Sequence, residues 1–201
     1  MKKNFLFRTV FVVVAAVGSV HDSPVTVLGA ESYLGAEAVL NKLAELEQRV
    51  PKFTLITQNV DGLHQRAGSR NVIELHGNIN RVKCFEEDAV VESWNQTGEV
   101  PPRCPRCGGR LRPDVVWFNE PLPEDSIGKA ASAARNCDLF LSIGTSGAVY
   151  PAASLPFEAL EGGATVVEIN PVPTPLTARA TFALRGPSGE ILPEIMRQLA
   201  G

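Results

Sequence analysis

Apolar positions recur at two periods along this chain, and segments of the two kinds alternate. Val39, Leu40, Leu43 and Leu46 follow steps of three and four, with Pro51 just beyond them. That spacing predicts a helix over about 31–49. Phe53 to Thr57 is short, apolar and partly β-branched, as a buried strand requires. Val72 to Leu75 is a second short apolar run. Leu139 to Ile143, closed by Gly144, and Thr165 to Ile169 read as two more buried strands. Val115-Val116-Trp117-Phe118, after Pro113, is also strand-like. An alanine-rich stretch over 126–135, a segment over 151–160 opening on proline, and a last stretch over 191–199 read as helices. Strands alternating with helices predict an α/β fold with a parallel sheet, in a strand order the pattern leaves open. Residues 81–109 break the rhythm. They are charged, contain prolines and carry cysteines near both ends, the profile of a small inserted module held by a metal.

The first residues admit two readings. Met1-Lys2-Lys3 ahead of an apolar run from Phe5 to Val17, interrupted by Arg8, has the shape of a short signal peptide. The β-branched core Val10-Phe11-Val12-Val13-Val14 reads instead as a first strand, and the strand is preferred. The run is too short for a comfortable membrane span. A chain of 201 residues suits one domain, or one domain with a small module. A net charge of −3 without any long basic run gives no reason to expect nucleic acid or a membrane surface as partner. A cytoplasmic protein is the expectation.

Cysteines stand at 84, 104, 107 and 137. An even count allows disulfides, but the Cys104-Pro105-Arg106-Cys107-Gly108-Gly109 knuckle argues for metal. Paired Cys-x-x-Cys motifs about 15–20 residues apart bind zinc. Here Cys84-Phe85-Glu86-Glu87 takes the place of the first pair. Cys84, Cys104, Cys107 and Glu87 form a candidate structural zinc set, since carboxylates also ligate zinc. Water as the fourth ligand and an apo knuckle are the alternatives. Cys137 reads as a packed thiol.

The densest chemistry is Thr57-Gln58-Asn59-Val60-Asp61-Gly62-Leu63-His64, followed by Glu74-Leu75-His76-Gly77. Amides and a carboxylate after a buried strand suit ribose hydroxyls and a carboxamide, because they donate and accept. An Asx-rich turn would explain the same residues without a ligand. Histidine is the usual general base near neutral pH, which singles out His76. Gly144-Thr145-Ser146-Gly147 lets a backbone approach phosphate or ribose closely.

These motifs, with Ala148-Val149-Tyr150-Pro151-Ala152, Glu168-Ile169-Asn170-Pro171 and Pro113-Asp114-Val115-Val116-Trp117-Phe118-Asn119-Glu120, resemble the sirtuin family of NAD-dependent protein deacylases. The match is close from about Ala36 onward. The resemblance implies a Rossmann-like parallel sheet, spanning 1–80 and 110–201 and incomplete near its N-terminus. It also implies a zinc-ribbon-like module inserted at 81–109. The implied activity transfers an acyl group from lysine to ADP-ribose and releases nicotinamide. His76 would be the base, taking a proton from the nicotinamide ribose so that a hydroxyl attacks the alkylimidate. Asn59 and Asp61 would face the nicotinamide end of NAD, and Gln58 its ribose. Gly144, Thr145, Ser146 and Asn170 would serve the rest of the cofactor, with Gly186, Pro187 and Ser188 near adenine. Val115, Val116, Trp117 and Phe118 would line the acyl-lysine site, where a peptide adds as a β-strand. The Val-Val-Trp-Phe form leans toward members that remove acidic acyl groups such as succinyl.

Three departures stand out. Glu87 occupies a cysteine position, and Asn119 stands where the family usually has glycine. The Gly-Ala-Gly loop that the family places on the NAD phosphates has no counterpart, nor do the Ser-Gly-Ile-Pro and Phe-Arg segments after it. Weaker NAD affinity follows from the last. The alternative function is an impaired, shortened sirtuin that acts as an acyl-peptide or nucleotide-binding module.

Overall fold

The computed structural model describes residues 9–14 and 30–198. The signal-like reading of residues 1–8 and 15–17 lies outside the described residues. Six strands form one parallel sheet: β1 (Thr9–Val14), β2 (Lys52–Thr57), β3 (Val72–Glu74), β6 (Leu139–Ile143), β7 (Thr165–Asn170) and β8 (Phe182–Arg185). Their spatial order is β3-β2-β1-β6-β7-β8. This is the order of a doubly wound Rossmann sheet, with its switch point between β1 and β6. The first strand is therefore central. Val10 to Val14 pairs with Phe53 to Thr57 on one side and with Leu139 to Ile143 on the other.

Alternation along the buried strands divides the interior into two cores. Leu55, Leu141, Ile143 and Ile169 face α1 (Ala30–Arg49) and α5 (Ser188–Gln198), meeting Val39, Leu43, Leu46, Leu192 and Met196. Ile56, Phe140 and Val166 face the other way, onto α3 (Glu124–Arg135) and α4 (Leu155–Glu161). Helices α1 and α5 cross so closely that a Cβ on Gly189 would lie 2.6 Å from the Gly35 Cα. Among the described residues no helix is long and apolar enough to cross a membrane.

β4 (Gly77–Cys84) and β5 (Leu111–Val115) form a separate antiparallel pair, with an irregularity between Asn78 and Val82. Their small core is Cys84, Val91, Cys104 and Leu111, with Val82 and Trp94 against it. The strand predicted over 115–118 thus ends at Val115, and its preceding residues pair with β4 instead. The predicted helix at 151–160 begins as a 3-10 turn, Ala152–Ser154, and becomes α-helical only at Leu155. Pro156 in the first turn of α4 needs no N–H there. Ser188, expected in a loop, is the first residue of α5.

Candidate active site

Parallel strands bring their carboxyl ends to one edge, so the turns after β2, β3, β6, β7 and β8 converge there. Ligands of doubly wound sheets bind at that edge, beside the switch point. Gln58 and Asn59 follow β2, His76 follows β3, Gly144 to Ser146 follow β6, Asn170 ends β7 and Gly186 follows β8.

His76 is fixed from two sides. Its Nδ1 lies 3.0 Å from the Gln58 carbonyl oxygen. A carbonyl only accepts, so Nδ1 carries the proton and Nε2 keeps its lone pair. The His76 carbonyl accepts the Val116 N–H at 2.9 Å, joining the histidine to the segment beyond β5. The next residue must be glycine. Gly77 has φ +78°, and a Cβ there would lie 2.1 Å from the Asp114 carbonyl oxygen.

The turn after β2 is largely self-bonded. Thr57 Oγ1 accepts the Asn59 N–H at 3.1 Å. Asp61 Oδ1 accepts the Leu63 N–H at 2.9 Å and so opens the one-turn helix α2 (Leu63–Arg66). Asn80 Nδ2 donates to the Asp61 carbonyl at 3.0 Å. His64 lies beneath this turn, 1% exposed, with both ring nitrogens unpartnered among the described residues. Burial pushes its pKa down, against smaller opposing pulls from Asp61 and Glu74. It braces the loop from inside, as a neutral ring.

The turn after β6 presents Gly144 at φ +63° and Gly147 at φ +66°. Thr145 Oγ1 accepts the Gly147 N–H at 3.2 Å, and Ser146 Oγ accepts that of Ala148 at 3.4 Å. Asn170, 6% exposed, donates from Nδ2 to the Thr145 carbonyl at 3.1 Å. Gly186 donates to the Asn170 carbonyl at 3.4 Å, and Pro187 leads into α5, where its carbonyl accepts the Ile191 N–H. Ser142 Oγ, on β6, is buried without a partner among the described residues.

Val115 closes β5, and Val116 to Phe118 run past it. Trp117 is half exposed and Phe118 fully exposed. Asn119 takes φ +71°, the conformation for which the family's glycine is suited and which asparagine tolerates.

In the module, one ligand atom each from Cys84, Glu87, Cys104 and Cys107 lies within 4.8 Å of the others. Cys84 and Cys107 sulfurs are 3.4 Å apart, and Cys104 Sγ lies 3.9 Å from Glu87 Oε2. Three thiols and a carboxylate this close fit one tetrahedral zinc ion. Arg106 Nε donates to the same Glu87 oxygen at 2.8 Å, so it competes for that carboxylate. Glu86 is a second acid at the site, 3.8 Å from Cys84 Sγ. Cys137 is apart from all this. It is buried, donates to the Ala134 carbonyl, and has its thiol pKa pushed up to about 12 by burial.

The Sir2 family model matches residues 33–151. The chain belongs to the Sir2 family. A protein from Aquifex aeolicus named NAD-dependent protein deacylase is 55% identical over 136 residues, covering 67% of this chain and 57% of its own. A Pyrococcus furiosus protein of the same name is 51% identical over 166 residues, covering 78% of this chain and 65% of its own. The chain thus spans roughly three-fifths of the length of these relatives. A crystal structure of a Sir2 homolog–NAD complex superposes with a TM-score of 0.80 at 34% identity, over 97% of this chain and 90% of that one. Sir2 bound to acetylated peptide gives 0.80 at 27% identity, over 97% and 94%.

Reading the sequence for motifs missed three parts of this sirtuin. Glu168 is a buried carboxylate on β7, 1% exposed, which accepts from Thr174, from Thr177 at 2.7 Å and from Arg185 at 3.1 Å. It ties the 171–177 loop to the end of β8. A charged residue inside an apolar strand run was the available signal. Arg112 with Glu120, and the carbonyl of Gln58, gave no local signal, because their partners are fixed only by the fold.

Proposed function

We propose that this sirtuin is an NAD-dependent protein-lysine deacylase. The observation that carries the reading is the His76 Nδ1 contact to the Gln58 carbonyl, which leaves Nε2 as the proton acceptor. His76 takes the proton of a nicotinamide-ribose hydroxyl. With NAD bound, the acyl oxygen would displace nicotinamide from the ribose, the freed hydroxyl oxygen would bond to the acyl carbon, one water would add at that carbon, and the C–N bond to lysine would break to release the amine. Overall, acyl-lysine, NAD and one water give lysine, nicotinamide and O-acyl-ADP-ribose. Asn59 and Asp61 hold the nicotinamide ribose, with Gln58 beside them. Gly144, Thr145, Ser146 and Asn170 hold the adenosine side, with Gly186, Pro187 and Ser188 next to adenine. Val115, Val116, Trp117 and Phe118 receive the acyl-lysine strand. The names of the relatives and the NAD and acetylated-peptide complexes of similar structures support this assignment.

The unit over 81–109 is a structural zinc module, with Cys84, Cys104, Cys107 and Glu87 as ligands. Zinc there crosslinks the β4 end to the knuckle and takes no part in the chemistry. We place the protein in the cytoplasm, acting on acetyl- or succinyl-lysine in proteins rather than on nucleic acid or membranes. One observation favours a second reading, that of an acyl-peptide or nucleotide-binding module. The family's Gly-Ala-Gly phosphate loop has no counterpart in the sequence.

Nicotinamide release from NAD, with acetyl- and succinyl-lysine peptides, tests both. Release should require peptide and fall about 10²–10⁴-fold in His76→Ala. Equal release by that variant removes His76 from the mechanism. No release from folded native protein favours the binding module.

A further inference from the structure

Arg112 is a charged side chain on β5 that is only 8% exposed, and it is committed to the segment beyond its own strand. NH1 and NH2 donate to the two carboxylate oxygens of Glu120 at 2.6 and 2.9 Å. NH2 also donates to the Val115 carbonyl at 2.7 Å. The guanidinium lies 3.7 Å from the centre of the Trp117 ring, with Phe85 of the zinc module 5.9 Å away. Glu120 returns the contact. Its Oε2 accepts the Trp117 N–H at 2.9 Å, while the Glu120 N–H donates to the Trp117 carbonyl at 3.0 Å. Arg112 and the Trp117 N–H together push the Glu120 pKa down to about 2. The carboxylate therefore stays charged at any working pH.

This ring of contacts fixes the main chain from Val115 to Glu120 in one shape. It uses the Val115 carbonyl and both main-chain groups of Trp117, and His76 takes the Val116 N–H. Among the described residues nothing hydrogen-bonds to the Val116 carbonyl or to the Phe118 main chain. A buried ion pair adds little net stability compared with an apolar pair of the same volume, so its use here is geometric. The Arg112 Nε is buried with no partner among the described residues, which weakens a purely stabilising role further.

We propose that Arg112, acting through Glu120, the Val115 carbonyl and the Trp117 ring, is a positioning residue that sets the Val115–Phe118 main chain for an incoming acyl-lysine strand. This rests on the reading of that segment as the peptide site. It makes peptide affinity depend on a side chain that touches neither the acyl group nor the nucleotide. Lysine cannot replace it, because an ammonium cannot grip two carboxylate oxygens, a carbonyl and a ring at once.

The test titrates zinc-loaded native protein, Arg112→Lys, Arg112→Met and Glu120→Ala with an acetyl-lysine peptide and separately with ADP-ribose, by calorimetry. Both Arg112 variants and Glu120→Ala should bind peptide about 10-fold or more weakly, the order of loss expected when a charge-assisted hydrogen bond is removed. ADP-ribose affinity should stay within about two-fold. Glu120 is one-third exposed, so Glu120→Ala carries the test if an Arg112 variant does not fold. Native peptide affinity in Glu120→Ala and Arg112→Lys overturns the positioning role alone. Equal losses for peptide and ADP-ribose overturn it in favour of a general structural role. A native protein that binds ADP-ribose but no peptide overturns the reading of 115–118 as the peptide site, and the positioning role with it.

Discussion

The parallel sheet buries Val39, Leu43 and Leu141 on one face and Ile56, Phe140 and Val166 on the other. The apolar core of the β4–β5 unit has only four buried side chains among the described residues, and two of them are the cysteines Cys84 and Cys104. The first region has enough apolar area to fold by packing. The second does not, and it makes up the difference with sulfur, ion pairs and strand pairing. Yet the second region carries the segment beyond β5 and presses Asp114 against Gly77, next to His76. On the zinc reading proposed above, the site combines a rigid half, built on strand ends, with a half whose order depends on four ligand atoms.

The largest effect should come from taking the metal away. Structural zinc sites in small peptides contribute roughly 10–16 kcal/mol of binding free energy. Chelation should therefore abolish hydrogen-exchange protection across 82–111 while β6 and β7 keep theirs. Retained protection at Cys84 and Leu111 in metal-free protein would erase the distinction between the two regions. The converse experiment is smaller. Leu43→Ala, at a fully buried position of α1, should cost about 2–5 kcal/mol in denaturant melts. Zinc content measured below the melt should not change; a loss of zinc in Leu43→Ala would mean that the two regions unfold together.

The smallest effect is a slope with pH. His64 is held neutral by burial, so its folded pKa lies below the ordinary value of 6.5. The unfolded chain then binds the extra proton first as pH falls. Stability contributed by this group is full above pH 6.5 and declines as pH drops below it. His64→Leu should flatten that part of the profile measured by urea melts. An unchanged slope would show that other groups dominate it.

Strands β2, β6 and β7 were legible because a strand buried on both faces must be continuously apolar. The helix α1 was legible for the complementary reason, its three-and-four spacing. β4 was not. Gly77-Asn78-Ile79-Asn80-Arg81-Val82-Lys83-Cys84 reads as polar, and its strand form comes from pairing with β5. β8 is a short edge strand with three of four residues exposed, which leaves no periodic signal. The strand order and the central place of β1 are non-local, so no window of sequence holds them. His76 was readable as a motif, but its tautomer was not, since it depends on a carbonyl eighteen residues away. Arg112 carried no local signal, because Glu120 reaches it only through the turn at Asn119.

The central place of β1 also has a consequence for synthesis. Its partner on one side, β2, leaves the ribosome soon after it, but Ile143, which pairs with Val14, follows about 130 residues later. At roughly 5–20 residues per second that interval is on the order of ten seconds. For that time one edge of the strand keeps its main-chain N–H and C=O groups unpaired. Chaperone dependence should therefore be concentrated in the nascent chain before β6 emerges, and relieved once it does.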